Sequence, residues 1–70
     1  MNAQTINVTD RKVNIRKSGP NWLTIIREER MPSIGDTLIA KQGSFLIAEV
    51  SEPYELSGTR VVGMRMRKSR

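Results

Sequence analysis

Apolar and polar residues alternate along much of the chain with a period of two, which is the spacing of strands with one buried face. Ile6 and Val8 share one parity, and Val13 and Ile15 share the other. A straight strand would send the two pairs to opposite faces. Thr9-Asp10-Arg11-Lys12 is therefore expected to turn, with a bulge as the alternative. Ser18-Gly19-Pro20-Asn21 breaks the chain before Trp22-Leu23-Thr24-Ile25-Ile26, whose aromatic and β-branched residues predict a strand. Glu28-Glu29-Arg30-Met31 is polar, and Pro32 biases Met31 away from helical geometry, so one helical turn is the most this stretch allows.

Pro32-Ser33-Ile34-Gly35-Asp36 supplies a rigid turn and a flexible glycine ahead of Thr37-Leu38-Ile39-Ala40. Gln42-Gly43 separates that strand from Ser44-Phe45-Leu46-Ile47-Ala48-Glu49-Val50. Closing a hairpin there pairs Ala40 with Phe45, Ile39 with Leu46, Leu38 with Ile47 and Thr37 with Ala48. Glycine provides the positive φ of the turn. Apolar pairs then occur on both faces. Pro53 ends the strand, and Ser57-Gly58-Thr59 makes another turn. In the last strand, Arg60 to Arg67, Val62, Met64 and Met66 share one face, while Val61, Gly63, Arg65 and Arg67 share the other. Gly63 is a candidate bend, and Lys68-Ser69-Arg70 is expected to fray.

Short strands separated by turns predict one all-β domain over residues 1–70: a small five- or six-stranded antiparallel barrel or curved sheet, SH3-like or OB-like, with no substantial helix. The Pro-x-x-Gly-Asp lead-in to a strand is generic turn chemistry and points to no one family. A chain of 70 residues buries only about 60% of its unfolded surface, so its core is thin.

Cysteine and histidine are both absent. Disulfides are excluded, and the usual transition-metal ligands, the commonest general base and the thiol nucleophile are missing. No phosphate-loop signature follows Ser18-Gly19-Pro20. The hairpin register sets Asp36 opposite Glu49, but two carboxylates without further oxygen ligands make a poor cation site, and solvated surface acids are the norm. The expectation is a protein without catalytic residues, bound metal or cofactor. A polar start and no apolar run of about 20 residues predict a chain that does not enter the membrane, and the lack of cysteine fits a cytoplasmic setting.

The net charge is +5, and its distribution sharpens the picture. Arg11, Lys12, Arg16, Lys17 and Arg27 face only Asp10 in the first 27 residues. Residues 28–59 carry six acids against Arg30 and Lys41. Arg60, Arg65, Arg67, Lys68 and Arg70 follow with no acid. If the first and last strands pair, Arg11, Lys12, Arg16, Lys17, Arg60, Arg65, Arg67, Lys68 and Arg70 form one positive face, the kind of surface a phosphate backbone selects. Arginine's planar fork suits phosphate and guanine. Nucleic acid is then the expected partner.

Single-strand binders stack bases on exposed aromatics. Of the three aromatics, Phe45 is expected in the core, Trp22 in the core or capping one end, and Tyr54 exposed in a loop. So few stacking rings favour contact with a duplex backbone. The competing expectation is a protein-interaction module, a homodimer, adaptor or inhibitor, using the two-faced hairpin 37–50 with Ile39 and Leu46 at its contact.

Overall fold

The computed structural model describes residues 3–10 and 12–69. Among them seven strands form a single open sheet: β1 (Thr5–Asn7), β2 (Arg16–Ser18), β3 (Asn21–Arg27), β4 (Thr37–Ala40), β5 (Gly43–Val50), β6 (Tyr54–Leu56) and β7 (Thr59–Lys68). The spatial order is β1-β4-β5-β7-β3-β2, with β6 on β7 beside β5. All-β is therefore correct, with seven strands where the sequence pattern predicts five or six. Of the two expected forms, barrel or curved sheet, the described strands form an open sheet that does not close into a barrel. It is not wholly antiparallel either, because β1 runs parallel to β4, with Ile6 beside Leu38. No helix of the described residues is long and apolar enough to cross a membrane.

The sheet curls, so residues of its two ends share one core. Ile6 and Val8 pack in the same cluster as Ile26, Leu38, Phe45, Ile47, Val62, Met64 and Met66. Fully burying each such side chain contributes about 1.5–3 kcal/mol. The alternation in the last strand is observed as expected, with Val62, Met64 and Met66 facing inward. Val13 and Ile15 also pack on this core without forming a strand. Their segment is fastened by Thr24 Oγ1 donating to the Asn14 carbonyl at 2.8 Å and by Gln42 Nε2 donating to the Val13 carbonyl at 3.2 Å. Thr9-Asp10 turns, with Asn7 Oδ1 accepting from Thr9 N and Thr9 Oγ1 at 2.9 and 2.7 Å.

The central hairpin is offset from its expected pairing by two residues. Leu38 faces Phe45, Ile39 faces Ser44, Ala40 faces Gly43 and Thr37 faces Leu46. The turn centres on Lys41-Gln42, and the positive φ falls after it, on Gly43 (138°). Glu28–Arg30 forms one 3-10 turn, closed by Met31 in the left-handed region. The pairing register shifts between Ile47 and Glu49 of β5, whereas β7 continues unbroken through Gly63. Lys68 belongs to β7, and Ser69 N donates to the Ser44 carbonyl at 2.8 Å.

Candidate nucleic-acid interface

The first and last strands do not pair, since β1 lies against β4; it is β3, between β2 and β7, that draws together basic residues far apart in sequence. Arg16 lies beside Leu23, which lies beside Arg65; one step along, Lys17 lies beside Trp22 and Trp22 beside Met66. Strand alternation then sorts them. Arg16, Arg65 and Arg67 project from the outer face, and Lys17 and Lys68 stand at the rim of the core.

At that rim Trp22 is half-buried. Its ring meets Phe45 with centroids 5.4 Å apart and planes at 57°. Lys17 Nζ stands 5.8 Å and Lys68 Nζ 5.4 Å from the Trp22 centroid. Each such contact contributes about 0.5–1 kcal/mol at an exposed site. One aromatic ring thus gathers two like charges that would otherwise repel.

Arg65 is held on the outer face. Its Nε donates to Glu49 Oε1 at 3.0 Å and its Nη1 to Asn21 Oδ1 at 3.3 Å. With the Glu49 side chain 66% exposed, the ion pair contributes less than about 1 kcal/mol, so its effect is orientation more than stability. Arg16, Lys17, Arg67 and Lys68 have no carboxylate partner among the described residues.

Other candidates lie elsewhere. Arg60 occupies the opposite end of β7, roughly 26 Å from Lys68 at strand rise. There its Nε donates to Glu28 Oε1 at 3.2 Å, and Glu55 pairs across from it. Lys12 is exposed beside a depression of about 340 Å³ that Arg27 and Arg30 also line. Arg11 and Arg70 fall outside the described residues. The pairing therefore brings Arg16 and Lys17 towards Arg65, Arg67 and Lys68 at one end of β3, the arginines on the outer face and the lysines at the rim of the core, and does not reach Arg60 or Lys12.

The hairpin candidates Ile39 and Leu46 are diagonal neighbours on one face and not a cross-strand pair. Ile39 is partly buried opposite Ser44 and Asn7; Leu46, 44% exposed, lies between Thr37 and Arg67. They do not face each other, and Leu46 shares the outer face with the arginines.

The acidic residues also rearrange. Asp36 does not face Glu49 and is not a surface acid; it is 3% exposed. Its Oδ1 accepts from Gln4 N at 3.0 Å and its Oδ2 from Ser33 N at 2.8 Å. The hydrogen bond from Gln4 leads in holding its pKa below the ordinary value, against the opposing effect of burial, and that from Ser33 adds to it. Among the described residues no three acidic, histidine or cysteine side chains gather as metal ligands do.

Sequence reasoning missed a trough of about 670 Å³ on the outer face, lined by Leu23, Ile25, Gly63, Arg16, Arg65 and Ser51 among others. Leu23 and Ile25 are 40% and 45% exposed. The signal was available: Trp22-Leu23-Thr24-Ile25-Ile26 carries apolar residues at both parities, as the central hairpin does. No family model, curated protein or solved structure matches this chain.

Proposed function

We propose that this chain is a non-catalytic basic β-module that binds nucleic acid, duplex DNA or RNA, by its phosphate backbone. Arg16, Lys17, Arg65, Arg67 and Lys68 are the contacts, and a cytoplasmic setting goes with this reading. The observation that carries it is the convergence of β2 and β7 cations on the two sides of β3, where Lys17 and Lys68 flank the Trp22 ring and, among the described residues, four of the five cations lack a carboxylate partner. Unneutralised cations on a fixed framework release condensed counterions when they meet phosphates, so binding gains entropy and depends on salt.

A salt titration of binding to duplex DNA, single-stranded DNA and RNA tests the proposal. Affinity falls steeply with salt, and Arg65→Ala combined with Arg67→Ala lowers the number of released counterions by about two. A flat salt response, or no binding at low salt, overturns the proposal. A second reading, self-association or protein docking through Leu46, is favoured by its exposure on the outer face. A mass measurement on Leu46→Glu beside the titration separates the two.

A further inference from the structure

We infer that the outer-face trough receives one unpaired nucleobase of a bound strand, so that this module prefers single-stranded over duplex nucleic acid. The inference rests on the phosphate contacts of the proposed reading alone and replaces the duplex with a single strand as the favoured substrate. The trough's volume, about 670 Å³, lies within the range of small-ligand sites. Leu23 and Ile25 supply an apolar surface in the middle of a basic row, where exposed aliphatic side chains otherwise only lose free energy to water.

Gly63 keeps the trough open. It pairs directly with Ile25 across β3 and β7, and any larger side chain there would project into the space. No backbone requirement explains the glycine. Its φ is ordinary, and an added Cβ would meet nothing nearer than Ser51 Oγ at 3.5 Å.

Charge selects the occupant. Arg16, Arg65 and Glu49 line the trough together; Glu49 pairs with Arg65 at 3.0 Å, Arg16 has no carboxylate partner among the described residues, and Arg67 follows on the same face about 7 Å further along β7, so the balance stays positive. A base between those guanidinium groups is bonded to a backbone whose phosphates reach them. A base inside a duplex has both faces stacked and cannot offer one to Leu23 and Ile25. An aliphatic floor thus takes the place of the aromatic platform that the chain lacks.

The test compares an oligopyrimidine single strand with a duplex of equal length, at several salt concentrations, for the unmodified protein, Gly63→Leu and Leu23→Thr. The unmodified protein is expected to bind the single strand about fivefold more tightly, less than a full aromatic stack gives. Both variants are expected to bring single-strand affinity down to the duplex value while leaving the salt slope unchanged. Leu23→Thr decides if Gly63→Leu fails to fold, because it replaces a half-exposed side chain with another strand former. Equal affinity for the two nucleic acids, or variants that keep the preference, overturns the trough assignment and leaves phosphate binding standing. Absence of binding to either nucleic acid overturns both.

Discussion

The carboxylate of Asp36 accepts the backbone N–H of Gln4, 32 residues earlier, at 3.0 Å, and so fixes the chain just before β1 to the start of β4. The neighbouring backbone bond from Thr37 N to the Gln4 carbonyl, 3.1 Å, continues into the parallel pairing of β1 and β4. Gln4 Nε2 donates in turn to the Met31 carbonyl at 2.8 Å. One buried acid therefore connects three segments: the first strand, the loop after the 3-10 turn and the central hairpin.

Replacing Asp36 by Asn leaves a single acceptor oxygen where two N–H groups need one each, and removes the charge that strengthens both bonds. The expected loss is about 2 kcal/mol at neutral pH, measured by chemical denaturation. The sign with pH follows from the lowered folded-state pKa. The stabilisation is complete above the ordinary value of 3.8 and is lost as pH falls through the lower folded-state value. Asp36→Asn is thus less stable at neutral pH and less sensitive to acid. Equal acid sensitivity in the two proteins would show that Asp36 is not the group responsible.

Arg60→Ala and Arg67→Ala remove the same charge from opposite ends of β7. Arg67→Ala is expected to reduce the salt dependence of nucleic-acid binding by about one counterion, while Arg60→Ala leaves it unchanged. Equal effects of the two would mean that total charge rather than the local patch drives association.

Leu46→Glu places a carboxylate beside Arg67 without touching the core. Folding stability is expected to change by less than about 0.5 kcal/mol, and nucleic-acid affinity to fall by roughly 1 kcal/mol through local charge. Circular dichroism and a binding isotherm check the two halves. A drop in solution mass with the fold retained would instead favour self-association through this face.

Gly43→Ala is expected to destabilise the chain by about 1–3 kcal/mol, because a φ of 138° strains any residue bearing a Cβ. The new Cβ would also come to 3.2 Å from Lys68 Cε, pressing on the side chain that caps Trp22. Denaturation followed by the fluorescence of Trp22, the sole tryptophan, reads both effects.

Period-two alternation made β7 legible with the inward face of Val62, Met64 and Met66, aromatic and β-branched content made β3 legible, and the Gln42-Gly43 break marked β4 and β5. Parity cannot distinguish registers that differ by two residues, since each side chain keeps its face. For that reason the central hairpin slid, with Gly43 assigned to the turn when it begins β5. The two-residue turn at Ser57-Gly58, both at positive φ, was recognisable as a turn. Tyr54-Glu55-Leu56, all exposed, carries no burial pattern from which β6 could be inferred.

The site was legible in part for similar reasons. Antiparallel pairing of β3 with β7, and of β2 with β3, is what carried Arg16 and Lys17 to Arg65 and Lys68. Arg60 was misplaced because residues of one long strand were treated as one locus, although its ends lie far apart. The parallel pairing of β1 and β4 had no local signature, and Asp36 looked like any surface acid because its partners are backbone groups contributed by Gln4 and Ser33.

The sheet ends at β2 after three residues, Arg16-Lys17-Ser18, two of them cationic. A border strand normally offers its unused N–H and C=O groups to any extended chain that drifts alongside. Here the offer is brief, and an identical chain docking in register would set arginine and lysine against their own copies. The same two side chains proposed to contact phosphate therefore also discourage fibre growth, and neutralising them to test binding carries a risk of precipitation.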